Sequence, residues 1–113
     1  MQFLPIFAII QKHEGLMEII QRYKLYEFAR KHADVINPLN NWIERIEKAK
    51  WTNHNELKAD FPSADYVTNN RYVFNLKGNN FRIIVVIVFF ACEVNIRFAG
   101  THTEYNKIDA KTI

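Results

Sequence analysis

The spacing of apolar side chains changes from a helical period to a strand period about halfway along this 113-residue chain. In the first half, apolar residues recur every three or four positions among charged ones, which is the pattern of an amphipathic helix. This period predicts a first helix between Arg22 and His32. It predicts a second helix from an apolar stripe that consists of Leu39, Trp42, Ile43, Ile46 and Ala49. Asp34 or Asn37 is expected to cap the second helix.

The strand period begins after Pro62. Before it, residues 53–56 resemble a capping box, so they predict a short helix that Pro62 prevents from continuing. Beyond it, apolar and polar residues alternate over 71–77 and turn residues follow, which predicts a β-hairpin. Residues 81–90 are almost continuously apolar, as is typical of a central strand covered on both faces. Alternation over 94–99 predicts a further strand and therefore an antiparallel meander.

A second capping-box pattern lies near the end of the chain. Thr101 is followed three residues later by Glu104, which predicts a short helix from His102 to about Asp109. The segment 18–20 is strand-like. The order of helices, then strands, then one short helix predicts an α+β fold.

The length and composition fit one small globular domain, with 49% hydrophobic and 24% charged residues. The apolar run at residues 3–10 is too short to cross a bilayer, which takes roughly 20 residues. No lysine or arginine precedes it, so it lacks the basic start of a secretory signal. We predict that residues 1–16 are a dispensable extension and that residues 17–113 form the domain.

The cysteine content indicates the cellular location, and the charge distribution indicates the kind of partner. Cys92 is the single cysteine, which excludes a disulfide framework or a cysteine-based zinc site within one chain and favours a reducing, cytoplasmic location. The net charge is +3, and residues 1–70 balance nine basic against nine acidic residues. The excess therefore falls after residue 70, which favours a polyanionic partner there. An ordinary basic surface is the alternative.

Arg82 is the most informative residue of the predicted sheet. It lies near the start of an apolar strand, where a charge is costly unless it is paired or faces a ligand. A buried salt bridge to Glu104 or Asp65 and an exposed ligand-binding arginine are both consistent with the sequence.

Arg97 is a second arginine within a predicted strand. Alternation places it on one face with Asn95 and Ala99. If its strand neighbours that of Arg82, both guanidinium groups are expected to face one concave surface.

A histidine and a tyrosine follow directly after these strands. His102 has the side chain that exchanges a proton near neutral pH, and Tyr105 lies three residues later on the same helix face. With arginines and no carboxylate pair, these groups suit phosphate chemistry without a metal. RNA supplies its own nucleophile, the 2′-hydroxyl, so the cluster predicts cleavage by transphosphorylation. The chain's histidines show no i, i+4 pairing and no zincin spacing, and we expect no metal and no cofactor.

Five segments of the chain resemble, in the right order, the HigB family of bacterial type II toxins, which belongs to the RelE-like mRNA interferases. These segments are Ala49–Trp51, Leu57–Ala64, Arg71–Asn79, Phe81–Ile83 and Gly100–Ala110. The resemblance implies a RelE-like fold, with helices packed on one face of a twisted antiparallel sheet. It also implies ribonuclease activity on translated mRNA at the ribosome and neutralisation by a cognate helix-turn-helix antitoxin.

The resemblance also assigns roles to single residues. Arg82 matches the sheet arginine of the RelE-like active site, a clamp for phosphate or the transition state. His102 falls at the catalytic position after the last strand and is expected to act as general acid or base. Tyr105 is expected to stack on a base or to assist proton transfer. The residues expected to bind the RNA backbone are Lys77, Arg97 and Lys107.

Two other functions stay open. One is a noncatalytic scaffold or relic toxin that binds an antitoxin through an exposed apolar groove. The other is a gyrase-directed toxin, since RelE-like and ParE-like chains share an architecture. The pair of His102 and Tyr105 near the end of the sequence favours RNA as the target.

Overall fold

The computed structural model describes residues 15–113, so most of the predicted extension lies outside the described residues. The elements are β1 (Glu18–Ile20), α1 (Tyr23–Lys31), α2 (Ile36–Lys48), α3 (His54–Asp60), β2 (Asp65–Tyr66), β3 (Arg71–Leu76), β4 (Phe81–Val88), β5 (Glu93–Thr101) and α4 (His102–Tyr105). Short 3-10 helices at Ala33–Val35 and Phe89–Ala91 precede α2 and join β4 to β5. The predicted α+β order is confirmed.

The five strands form one sheet in the order β1-β5-β4-β3-β2. The strands β2 to β5 are antiparallel neighbours, which confirms the predicted meander. β1 instead runs parallel to β5, with Ile19 opposite Val94, so the sheet is mixed rather than wholly antiparallel as predicted. A short hairpin forces its two strands to be antiparallel, but the rest of the domain separates β1 from β5 and leaves their relative direction free.

The start of α2 differs from its prediction. Its N-cap position is Val35, which makes no side-chain hydrogen bond, because the helix continues directly from the preceding 3-10 turn. Asp34 and Asn37 are therefore not its caps, and Asp34 accepts a hydrogen bond from Lys77 instead. Pro38 lies in the first turn of the helix, where its missing N–H has no intrahelical partner to lose.

The cap of α3 agrees with its prediction in part. The side chain of Asn53 accepts a hydrogen bond from the backbone N–H of Glu56 at 3.0 Å, as predicted. The carboxylate of Glu56 accepts from the N–H of Thr52 at 2.6 Å, one residue earlier than in a full capping box. The helix ends at Asp60, before the proline, as predicted.

One face of the sheet packs against the helices and forms the main core. The ring of Phe74 lies between those of Trp42 and Phe61, with centroids 5.4 and 5.0 Å away. The residues of β4 that point to this helix-facing side are buried; they are Phe81, Ile83, Val85 and Ile87. Trp42, which belongs to the apolar stripe of the predicted second helix, thus lies in the core.

The opposite side, here called the second face, carries alternate residues of β3 and β4: Arg71, Val73, Asn75, Arg82, Ile84 and Val86. Val73 and Ile84 face each other across these strands, are 3% and 0% exposed, and lie outside the main core cluster. The predicted covering of β4 on both faces is thus confirmed.

The end of the chain covers the second face. α4 ends at Tyr105 rather than near Asp109 as predicted, because the chain then turns and runs across the sheet. We call residues 106–113 the closing segment. Tyr105 contacts Arg82 at one end of the face, and the carbonyl oxygen of Ile113 accepts hydrogen bonds from Arg71 at the other. The closing segment therefore runs from the Arg82 end of the second face to the Arg71 end.

Candidate active site on the second face

Arg82 occupies the second position of β4, between Asn75 of β3 and Gly100 of β5. Neither neighbour carries a charge. The ion pairs within residues 15–113 do not include one between Arg82 and either Glu104 or Asp65, so the buried salt bridge is excluded for this part of the chain. The Nε of Arg82 is buried and has no hydrogen-bond partner in the same range. The other two nitrogens of this guanidinium also make no hydrogen bond within residues 15–113 and are not among the buried unpartnered atoms, so they can donate to a ligand.

An aromatic ring takes the place of a carboxylate beside Arg82. Its guanidinium carbon lies 4.7 Å from the centroid of the Tyr105 ring, within the range of a cation–π contact. The ring of Phe98 lies 6.4 Å from that of Tyr105, tilted by 58°. Arg82 and Tyr105, predicted from sequence as site residues, are thus in direct contact.

Gly100 makes room for this arrangement. A Cβ at this position would lie 2.7 Å from Cζ of Phe98 and 2.7 Å from Oε1 of Glu104, closer than real Cβ atoms approach. Glycine inside a strand commonly marks such a close approach. Phe98 and Gly100 were missed as site residues by the sequence prediction, and the phenylalanine two residues before a strand glycine is the signal that could have found them.

The capping box of α4 holds the start of the helix. The N–H of Thr101 donates to the Glu104 carboxylate at 2.8 Å, and the N–H of Glu104 donates to the Thr101 hydroxyl at 3.1 Å. The first of these bonds is the main reason that the pKa of Glu104 is lowered. The predicted capping box is confirmed, and it gives both residues a structural role.

His102 is the first residue of α4. Its backbone N–H donates to the carbonyl oxygen of Asn80 at 3.0 Å, which ties the helix to the turn between β3 and β4. Its imidazole is exposed to solvent. Because it precedes Tyr105 by three residues on a helix, the two side chains share a face.

Arg97 lies at an irregular position of β5. The register between β4 and β5 shifts between Ile84 and Val85, and Arg97 is the extra residue of this bulge, with no partner on β4. The bulge reverses the alternation, so Asn95 pairs with a second-face residue of β4 and Ala99 with a helix-facing one. The prediction that Arg97 shares one face with both is therefore wrong.

The two lysines lie at the edge of this arrangement. Lys77 follows β3 with a φ of 52°, and its ammonium lies 2.9 Å from the Asp34 carboxylate. That hydrogen bond lowers the pKa of Asp34. Lys107 is exposed and follows α4. Within residues 15–113, no hydrogen bond, ion pair or ring contact joins Lys77, Lys107 or Arg97 to the Arg82–Tyr105 pair.

A second histidine–tyrosine pair lies on the helix-facing side. Nδ1 of His54 lies 2.7 Å from the hydroxyl of Tyr72, and burial raises the pKa of this tyrosine. His54, like His102, is exposed and begins a short helix directly after its cap. It lies away from the arginines of the second face, since Tyr72 points into the main core.

Residues 15–113 hold neither a metal centre nor a helix suited to span a membrane. Between residues 15 and 113, no group of three or more histidine, cysteine, aspartate or glutamate side chains is placed to hold a metal ion. No helix in that range is both long and apolar enough to span a bilayer.

Comparison with known proteins gives a consistent set of relatives. The model of the HigB_toxin family, described as the RelE-like toxic component of a toxin-antitoxin system, matches residues 35–108. The mRNA interferase HigB of Escherichia coli O6:H1 is 29% identical over 94 residues, which are 81% of this chain and 91% of that protein. The mRNA interferase toxin HigB of Escherichia coli K12 is 32% identical over 92 residues, 80% of this chain and 88% of the relative.

Proposed function

Because the chain belongs to the HigB family of RelE-like toxins, we propose that it is the toxin of a type II toxin–antitoxin module and an endoribonuclease that cleaves translated mRNA. The observation that carries the proposal is the guanidinium of Arg82, which has no carboxylate partner within residues 15–113 and lies over Tyr105. A cation without a counterion, held on a sheet among apolar side chains, is suited to receive a phosphate.

The proposed reaction is transphosphorylation. The 2′-hydroxyl of one nucleotide attacks the adjacent phosphorus, a 2′-O–P bond forms, and the bond from phosphorus to the 5′-oxygen breaks. The products are a 2′,3′-cyclic phosphate and a 5′-hydroxyl. Arg82 holds the non-bridging oxygens and stabilises the charge that develops on them in the transition state.

His102 is the proposed proton carrier. The attacking 2′-hydroxyl must lose a proton and the leaving 5′-oxygen must gain one. An exposed imidazole at the start of α4, on the same helix face as Tyr105, is accessible to a substrate bound at Arg82. Its role is general acid or base.

Tyr105 is proposed to stack on a base or to assist this proton transfer. Its ring is already held by Arg82 and Phe98, so little side-chain freedom is lost when RNA binds. Stacking of a base on an aromatic side chain contributes about 1–3 kcal/mol per base.

Lys77, Arg97 and Lys107 are proposed to hold the RNA backbone around this centre. Lys77 must then exchange Asp34 for a phosphate. Both partners of that ion pair are about half exposed, at 45% and 55%, and ion pairs between exposed side chains contribute little to stability. The replacement of Asp34 by a phosphate as the partner of Lys77 therefore requires little free energy.

The proposed setting is the bacterial cytoplasm, with the ribosome presenting the mRNA and a helix-turn-helix antitoxin as the cognate partner. A small helix-turn-helix protein encoded in the adjacent reading frame would support the antitoxin part. Cleavage of naked RNA at the same sites as translated message would contradict the need for the ribosome.

The test is induction of the chain and of two histidine variants in bacteria. The wild type should arrest growth and cut message, and His102→Ala should lower the cleavage rate by about 10²–10⁴-fold, the usual contribution of a general acid or base. The matched control is His54→Ala, which changes the other exposed histidine that begins a capped helix and should leave cleavage intact.

Other outcomes would replace the proposal. Intact message in arrested wild-type cells, together with inhibited DNA supercoiling, would indicate a gyrase-directed toxin. Intact message without arrest, alongside tight binding of the antitoxin, would indicate a noncatalytic scaffold. Equal loss of cleavage in the two variants would remove His102 from the catalytic role.

A further inference from the structure

Arg71 differs from Arg82 in how its guanidinium is used, although both lie on the second face. Its Nε and Nη2 donate to the carbonyl oxygen of Ile113 at 3.1 and 2.7 Å, and its Nη1 donates to the carbonyl oxygen of Asn69 at 3.1 Å. Each of its three nitrogens thus has a backbone partner. Arg71 is hydrogen-bonded to the backbone, whereas Arg82 contacts the Tyr105 ring and makes no hydrogen bond within residues 15–113.

The closing segment depends on Arg71 for its attachment to the sheet. The backbone bonds made by residues 106–113 are local turns, such as those from Ile108 to Tyr105 and from Ile113 to Asp109. In the described part of the chain, the hydrogen bonds that join this segment to a strand are the two from Arg71 to Ile113.

Tyr105 directly precedes the closing segment, at the end opposite Ile113. It is held on Arg82 and against Phe98 by ring contacts, and no side-chain hydrogen bond within residues 15–113 fixes it. A ring held by stacking alone keeps its place only while the chain on either side is fixed. The capping box fixes the chain before it, and the closing segment is the chain after it.

We propose that Arg71 is a positioning residue for the active site: it holds Ile113, thereby keeps the closing segment across the second face, and so keeps Tyr105 on Arg82. The structural part of this proposal stands on the contacts alone. Its consequence for RNA cleavage rests on the proposed function.

The test replaces Arg71 by methionine, which keeps an apolar stem over the sheet and removes all donors. The matched control is Arg45→Met on the helix-facing side. Arg45 also donates to a backbone carbonyl, that of Asp60 at 2.5 Å, and lies over the ring of Phe61. Both variants remove one arginine with a backbone partner, but only one of them concerns the second face.

The first measurement is made by NMR on the intact protein without RNA. In Arg71→Met, the ring signals of Tyr105, assigned with Tyr105→Phe, should move toward their positions in Arg82→Met, where the cation is gone. Backbone amides of the closing segment should exchange with solvent at least about tenfold faster, as expected when a segment opens locally. Arg45→Met should leave both unchanged, and Arg71→Lys should restore part of the wild-type signal.

The second measurement is RNA cleavage. Misplacing a reacting group by about 1 Å can lower a rate by about 100-fold, so Arg71→Met should lower kcat by tenfold or more while KM changes little. In the Tyr105→Ala background of the full chain, Arg71→Met should have no further effect on kcat, since Arg71 acts through the position of Tyr105.

Two results would overturn the proposal. Unchanged Tyr105 signals and amide exchange in Arg71→Met would show that Arg71 does not hold the segment. A full effect of Arg71→Met in the Tyr105→Ala background, with a raised KM, would show that Arg71 binds RNA directly. If the wild type cuts no RNA, the NMR arm still decides the structural proposal while the function fails separately.

Discussion

The two faces of the sheet are formed by the same strands but carry different kinds of side chain. The helix-facing side is closed by apolar rings and aliphatic side chains that pack against α2 and α3, as Phe74 does between Trp42 and Phe61. On the second face, Val73 and Ile84 are buried between Arg71 at one end and Arg82 at the other. Apolar packing is therefore concentrated on one face and these arginines lie on the other, so substitutions on the two faces should have separable effects.

The largest expected effect on stability comes from the helix-facing side. Phe74 is 2% exposed, and Phe74→Ala should lower the free energy of unfolding by about 3–5 kcal/mol, through lost burial and the cavity that remains. Urea unfolding measures this loss, and cleavage per folded molecule should stay near the wild-type value. A stable Phe74→Ala variant with lost cleavage would contradict the division between the faces.

The opposite result is expected for Arg82. Arg82→Met removes the free guanidinium and should lower the cleavage rate by about 10²–10³-fold, as loss of a transition-state donor does. The free energy of unfolding should stay equal or rise, because a buried nitrogen without a partner is removed along with the charge. Cleavage and urea unfolding are measured on one preparation. A variant that loses stability as well would mean that the cation holds the fold together.

Much of the helix-facing side follows from the sequence, because periodicity records which residues are buried together. The stripe of α2 and the alternation of β3 both predicted the core in which Trp42 and Phe74 meet. Arg82 could be singled out in the sequence for the opposite reason, because a charged side chain in an apolar strand is unfavourable unless it is paired or faces a ligand. Its alternatives, a salt bridge or a free cation, were separated only by the fold.

Long-range contacts explain what the sequence did not predict. The direction of β1, the bulge at Arg97 and the early end of α4 each depend on a partner distant in the chain. Local sequence patterns do not show which distant residue will be the partner. The contact of Arg71 with Ile113 is of the same kind, since it joins residues 42 positions apart.

The smallest expected effects come from the ion pair that joins the edge of the site to the helix-facing side. Asp34→Asn removes the partner of Lys77, and the freed ammonium should bind RNA slightly more tightly. The measurement is RNA affinity at several salt concentrations, where the salt dependence should steepen because one more lysine contacts phosphate. Lys48, which pairs with Glu44 on α2, is the matched control, and Glu44→Gln should change neither quantity.

The pH dependence of this pair gives a second measure of the same contact. The hydrogen bond from Lys77 lowers the pKa of Asp34 in the folded state, so the pair stabilises the fold above the pKa of an unfolded aspartate, near 3.9. As the pH falls through the lower folded value, the carboxylate is protonated and the contribution is lost. The wild type should therefore unfold at a slightly higher temperature than Asp34→Asn at pH 7, and the difference should shrink toward pH 2. A difference that grows on acidification would mean that Asp34 stabilises the fold in its neutral form, and that Lys77 is already free to bind RNA.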